Sequence, residues 1–261
     1  IYLLARAAFG LRVAAIAGLG AALLDTSVFF DAQLLAVSPL VLLSLTMLYL
    51  AHLAESGNRL WLWGAAGVAA GLCGLLWAPT LVAVPGTGLW AWFRMRSRGR
   101  YRGALSVGLL LLGTALPIVP VTAANWVASG DRVLISSNGG INFYIGNGPG
   151  ADGHSAVPVG VAWEELQRRE EAQDVAGSRA SAFWVSETLG HIRAHPAWWV
   201  RLMGRRAVLF WQGFEPPNNI SIDSMRGFSL VLTLLPVRFG LVAPLALWGI
   251  WCARRPRSRR R

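Results

Sequence analysis

Val133-Leu-Ile-Ser-Ser-Asn-Gly-Gly-Ile-Asn-Phe-Tyr-Ile-Gly-Asn147 is the stretch on which the fold class turns. Residues 133–136 and 141–145 are β-branched and aromatic runs bounded by Asn and Gly, the pattern of two short strands. Ser137-Asn-Gly-Gly140 between them has the composition of a tight turn, because Asn and Gly tolerate positive φ. Gly146-Asn-Gly-Pro-Gly150 then interrupts regular structure. The stretch predicts a β-hairpin, a small polar island in a chain that is otherwise apolar helix. By its own chemistry it is either a surface turn between apolar segments or one wall of a site.

The surroundings are those of a membrane. Of the 261 residues, 54% are hydrophobic and only 14% charged, against roughly 25% charged in soluble domains. The formal charge is +11, and every basic residue is Arg. Five Arg lie between Arg94 and Arg102 and six between Arg254 and Arg261; the remaining 13 Arg balance 13 acids. Basicity confined to two short runs beside apolar segments fits anchoring on the cytoplasmic side of a bilayer. It does not fit a nucleic-acid surface, so no nucleic-acid partner is expected. Cys73 and Cys252 sit inside apolar segments and suggest neither a disulfide nor a metal framework.

Apolar segments long enough to span cover residues 1–24, 34–54, 60–93, 103–124 and 228–252. The third is broken by Pro79, Pro85 and Gly86 and reads as two spans, giving about six. Placing the Arg94–Arg102 run inside leaves 25–31 and 125–225 outside, 55–60 inside and the Arg tail inside. The predicted fold class is an all-α polytopic membrane protein with a small extracytoplasmic α+β segment containing the hairpin. Its divisions are a helix bundle over 1–124, an extracytoplasmic segment over 125–227, and a last span with basic tail over 228–261. Within the middle segment, helices are expected over 161–175, from a Ser178 cap to about Ala194, and over 197–211 behind Pro196.

Soluble-enzyme motifs are absent: no phosphate-binding Gly loop with Lys, no His-Glu-x-x-His and no Gly-x-Ser-x-Gly. His191 and His195 are four apart on an expected helix, and the Arg and Pro around them suit an interfacial helix better than a metal site. Asp25 and Asp31 stand where a span leaves the membrane, either as a helix end meeting water or as acids lining a cavity. Arg205 and Arg206, amid Trp and Leu, suit either snorkelling or the grip of a lipid phosphate. Glu215 follows an aromatic run and precedes Asn218 and Asn219; a carboxylate and amides at an interface suit sugar hydroxyls.

Taken in order, Pro117-x-x-Pro120, Asn125-Trp126, Gly130 and Ser136-Ser-Asn-Gly-Gly-Ile-Asn-Phe-Tyr-Ile-Gly-Asn147 resemble bacterial family 39 glycosyltransferases. These are relatives of the protein O-mannosyltransferases and the aminoarabinose transferases. Arg205-Arg206-x-x-x-Phe210-Trp211-x-x-x-Glu215-x-Pro217-x-Asn219 is similar to a later segment of that family, and Phe29-Phe30-Asp31 to an earlier one. The resemblance implies a GT-C helix bundle in the bacterial cytoplasmic membrane with its active face outside. It implies transfer of a sugar from a polyprenyl-phosphate donor to a lipid, glycan or protein acceptor, with inversion at the anomeric carbon. Arg205 and Arg206 are then expected to hold the donor phosphate, and Glu215, Asn219, Asn138 and Asn142 to meet sugar or acceptor. Asp31 is a weaker catalytic candidate, because the family's acidic pair belongs to an outside loop expected to precede Ile1. The resemblance fixes no cofactor and leaves a divalent metal open. Two other classes compete: a transporter or flippase, which would place paired charges within its spans, and a non-catalytic assembly subunit of envelope glycan synthesis.

Overall fold

The computed structural model describes residues 1–33, 35–154, 161–213 and 221–253. Among the described residues the chain is all-α, with no β-strand beyond an isolated parallel bridge between Leu24 and Val237. Its contacts form two compact units, one of residues 1–18 and 34–137, the other of 19–33 and 138–261.

The first unit holds α1 (Tyr2–Phe9), the start of α2 (Leu11–Ala22), α4 (Val37–Gly57), α5 (Trp61–Leu76), α6 (Ala83–Arg96) and α7 (Arg100–Ser129). Between α5 and α6 lies a 3-10 turn, Ala78–Val82. Helices α4 to α7 run up and down with short connections, α5 packing on α4 and α7, and α6 on α7. The core is Trp63, Met95, Leu110, Met47 and a row of alanines, Ala51, Ala54, Ala66, Ala69, Ala70 and Ala91. Small residues dominate because α5 and α7 meet backbone to backbone: a Cβ on Gly67 would strike the carbonyl oxygen of Leu110, and one on Gly113 that of Gly64. Gly67 and Gly71 form a Gly-x-x-x-Gly pair facing α7, the arrangement by which helices in lipid gain close packing.

The Arg run closes one end of this unit. Glu55, in the last turn of α4, accepts from Trp90 Nε1 at 3.0 Å and Arg94 Nε at 2.6 Å. Arg98 donates to the Glu55 carbonyl, which the helix leaves unpaired, and Arg102 donates to Asn58 Oδ1, both at 2.7 Å. Asn58 ends α4 in the left-handed conformation that Asn tolerates. The 55–59 connection and the Arg run therefore lie at the same end of the helices. At the other end Asn125 donates to the carbonyls of Val133 and Ile135, and Thr122 to that of Leu134.

The second unit holds α3 (Asp25–Asp31), α8 (Gly139–Asn147), α9 (Val161–Ala172), α10 (Gly177–Ala194), α11 (Pro196–Trp211), α12 (Ile222–Arg226), α13 (Leu230–Leu234) and α14 (Phe239–Ala253). Helix α8 docks on α10, α13 joins α3 and α12, and Phe29, Ile222 and Leu232 form a small apolar cluster.

The hairpin expected over 133–147 is not formed. Its second half is helix α8, and the carbonyls of its first half are taken by Asn125 and Thr122 side chains instead of a partner strand. Four apolar residues around Asn142 are too few for periodicity to separate strand from helix. Tertiary contact decides: at Gly140 the Ser181 backbone comes so close that no side chain fits, and Gly140 N–H donates to Ser181 Oγ at 3.0 Å. One turn on, Tyr144 lies against Trp184 with centroids 4.7 Å apart.

Three spans also differ from expectation. Residues 1–24 divide into α1 and α2 at Gly10, whose φ of 87° has no place in a helix. Residues 228–252 divide into α13 and α14 at Pro236, which takes Leu235 out of the helical region, and Val237 then accepts the Asp25 N–H at 3.0 Å. The long apolar stretch does break at Pro79, but Pro85 falls in the first turn of α6, where no intrahelical N–H is lost. Two helices, Val37–Gly57 and Arg100–Ser129, are long and apolar enough to cross a membrane; Leu11–Ala22, Trp61–Leu76 and Phe239–Ala253 are shorter apolar helices. At 30 residues α7 keeps Pro117 and Pro120 inside it and extends about 45 Å, past a hydrocarbon core of about 30 Å.

Gly113→Leu is expected to lower the stability of the first unit by about 1–3 kcal/mol, since the obstacle is backbone. Gly108→Ala on the same helix meets nothing within 4 Å and is expected to be neutral or stabilising. Thermal unfolding in detergent micelles compares them; equal midpoints for the two variants would contradict the close crossing.

Candidate functional site

Helix α11 carries the Arg pair because Pro196 starts it cleanly and its apolar positions recur at helical spacing. The pair divides in role. Arg206 reaches the C-terminus of α8, donating Nη1 to Asn147 Oδ1 at 3.3 Å and Nη2 to the Gly146 carbonyl. Trp199, two turns earlier on α11, donates Nε1 to the same Asn147 oxygen at 3.2 Å. A cation at the last carbonyls of a helix is favoured by their partial negative charge. Arg206 thus joins α11 to α8, with two of its five N–H donors used in the tie. Arg205 is exposed, with its stem along Gly153 and no hydrogen-bond partner among the described residues.

Beside it, the Asp152 carboxyl is held below its ordinary value, first by the hydrogen bond from the His154 N–H, against desolvation, which raises it, and with smaller help from the charges of His154 and Arg205. The Asp152 carboxylate offsets part of the Arg205 charge at this corner of the unit.

The remaining sequence candidates distribute as follows. Asn138 and Asn142 are one turn apart on the exposed face of α8, opposite the Gly140 contact. They lie at the end of α8 away from Arg206, about 10 Å along the axis. Asp31 is exposed at the end of α3. Glu215 and Asn219 lie outside the described residues. His191 and His195 share a face as their spacing predicted, with ring centroids 4.6 Å apart, and among the described residues no group of three His, Cys, Asp or Glu comes together to hold a metal.

Two features of the site escaped the sequence. Asn147 is the residue that receives both Arg206 and Trp199, yet in sequence it is one Asn among several. Of the two acids at the span end, Asp25 and not Asp31 is buried: it is 2% exposed and paired with Arg226, which also pairs with Asp223. Nothing local links Asp25 to a residue 201 positions away; only the rule that a buried carboxylate needs a partner says that one exists. Around α8 and α10 a further polar knot forms. Arg169 donates to the Tyr144 hydroxyl and to Glu187 Oε2, each at 2.7 Å, and stacks over Tyr144 and Trp184. Trp184 Nε1 donates to Glu170 Oε2 at 2.9 Å.

Arg206→Gln and Asn147→Ala are expected to be coupled: in a double-mutant cycle of unfolding free energies the pair should show an interaction of about 1–2 kcal/mol. Additive effects would contradict the α8–α11 tie. The Asp152 carboxyl, whose folded-state pKa is lowered, contributes stability above its unfolded value; that contribution is lost as pH falls through the folded value. Carbonyl NMR titration should place Asp152 below the ordinary aspartate value, with Arg205→Ala moving it slightly upward; an Asp152 at the ordinary value would contradict the His154 hydrogen bond. Comparison with protein-family models, with curated proteins and with solved structures found no match, so the functional reading rests on the chain's own residues.

Proposed function

We propose that the chain is part of a membrane glycosyltransferase of the GT-C type, which moves a sugar from a polyprenyl-phosphate donor to an acceptor outside the cytoplasmic membrane. The observation that carries this reading is the meeting of two separate stretches of the family resemblance. Ser136–Asn147 and the Arg205–Asn219 segment are about 60 residues apart in sequence, and Arg206 ties the second to the end of the first. The same tie leaves Arg205 facing outward one residue away.

The membrane setting has its own support. Helices α4 and α7 expose apolar side chains along their length, Val41, Leu42 and Leu48 on one and Leu111, Leu112, Leu116 and Val119 on the other. That is the surface of a helix solvated by lipid. The Arg run and the 55–59 connection share one end of the first unit, as positive-inside anchoring requires. Charge within α4, α5 and α7 is confined to their ends, which favours chemistry at a surface over a transport path through the bundle.

In this mechanism the acceptor hydroxyl passes its proton to the carboxylate base that the resemblance assigns to an outside acidic loop, its oxygen attacks the anomeric carbon, and the lipid phosphate departs with the bonding electrons. Charge grows on the phosphate as the bond breaks, and a fixed guanidinium beside it lowers the barrier. Arg205 supplies that cation, while Arg206 holds α11 so that Arg205 stays in place. Asn138 and Asn142 contribute amides for sugar or acceptor hydroxyls; Glu215 and Asn219, which the resemblance gives the same role, lie outside the described residues.

The test is sugar transfer by membranes containing the intact protein, assayed over a panel of polyprenyl-phosphate pentoses and hexoses. Arg205→Ala is expected to lower kcat/KM for the donor on the order of 10- to 100-fold, with Arg205→Lys recovering part of it. Transfer unaffected by Arg205→Ala, or no transfer from any donor, would overturn the reading.

A further inference from the structure

The Arg-bound end of the first unit presents charge of one sign. Arg59, Arg94, Arg96, Arg98, Arg100 and Arg102 lie there, and the two connections that bear them are joined by the bonds of Arg94, Arg98 and Arg102 to Glu55 and Asn58. The first unit has one other acid, Asp131, which follows the far end of α7. Glu55 lies beneath the Arg that pairs with it: its side chain is 16% exposed and that of Arg94 62%. The outer face of this end is therefore guanidinium, with its one carboxylate covered.

Several of these guanidiniums are held in place without being saturated. Arg98 and Arg102 each give Nη1 to the 55–58 segment, which leaves the other N–H groups of each fork for a ligand. Arg96 stands over the Phe93 ring, 4.6 Å from its centroid, and Gly103 of α7 lies close against its base. Arg59 and Arg100 are exposed and have no hydrogen-bond partner among the described residues. A guanidinium that is already fixed loses little freedom on meeting an anion, and its planar fork matches the oxygens of a phosphate.

Apolar surface decides which class of phosphate fits. Trp61 at the start of α5, Phe93 near the end of α6 and Tyr101 in the first turn of α7 are all exposed beside the Arg residues. Phe93 continues into Leu89, exposed one turn further from the Arg end, so the aromatic rim runs on into the apolar side of the helix. A nucleic acid or an acidic peptide would answer the charge and leave that apolar side in water. A phospholipid answers both, with its phosphate at the guanidiniums and its glycerol and upper chains along the aromatics, the level at which Trp and Tyr collect in membranes.

We propose that this end of the first unit is a headgroup site for anionic phospholipid of the leaflet that the Arg run faces. Arg59, Arg96, Arg98 and Arg100 take the phosphate, and Trp61, Phe93 and Tyr101 take the region just below it. The site depends on the membrane setting of the first unit and not on sugar transfer.

Native mass spectrometry of the intact protein, released from micelles supplied with equal amounts of phosphatidylglycerol and phosphatidylcholine, tests this by the lipid retained. Phosphatidylglycerol is expected to be retained in preference. Arg59→Gln and Arg100→Gln, which break no bond among the described residues, should each lower that preference about fivefold at unchanged helical circular dichroism. Arg132→Gln, past the far end of α7, should leave it unchanged. Excess glycerol phosphate, which has the charge of the headgroup and no chains, should displace none of the lipid. Equal retention of the two lipids, a preference kept in both Arg variants or lost equally in Arg132→Gln, or displacement by glycerol phosphate would overturn the site. Preference for phosphatidylglycerol in a protein that transfers no sugar would overturn the transferase reading and not this site. Sugar transfer by a protein without that preference would overturn this site and not the transferase.

Discussion

Two apolar helices in lipid have little to gain from each other unless their backbones come close, because the surrounding acyl chains are as apolar as leucine. The crossing of α5 and α7 meets that condition with Gly64, Gly67 and Gly71 on one side and Gly113 on the other. Everything else in the first unit follows from it. Trp63 and Leu110 fill the space beside the crossing, alanines line it, and α4 and α6 pack on the pair so formed. The outer faces can then remain apolar, and the charged residues collect at the ends, where Glu55 gathers Trp90 and Arg94.

The second unit answers a different constraint, the need of every buried polar group for a partner. Its helices are short, and several are joined by side chains reaching to backbone or to opposite charge. Arg206 and Trp199 converge on Asn147, Arg169 bridges Tyr144 and Glu187, and Arg226 stands between Asp25 and Asp223. A unit held in this way is specified by a handful of polar residues. Asp25 is the buried member of these ion pairs, so loss of Arg226 leaves a carboxylate buried and unpaired, whereas Arg169, Glu187 and Asp223 keep access to water.

How far the sequence foretells this depends on whether a feature is local. The all-α character, the break at Pro79, the start of α11 at Pro196 and the two long apolar helices follow from composition, Pro chemistry and segment length, all of which act within a turn or two. The β-hairpin expectation failed because Gly140 serves a close helix contact and not a turn, a distinction made by Ser181, 41 residues away. The expected single span over 228–252 failed for a local reason, since Pro236 takes Leu235 out of the helical region. In the candidate site, α11 and its Arg pair were legible, but the division of labour between Arg205 and Arg206 was not. Adjacent residues on a helix point about 100° apart, and which of them meets α8 is a property of the packing.

The central claim is that the Arg-bound end of the first unit and the far end of α7 lie on opposite faces of a membrane. Cysteines introduced at Ser97 and at Arg132, in a protein with Cys73 and Cys252 replaced by Ser, report on the two ends. A membrane-impermeant maleimide applied to intact cells should label the Arg132→Cys protein alone, and the Ser97→Cys protein should react only once the membrane is opened. Labelling of both from the same side, or recovery of the protein free of membranes, would contradict the account.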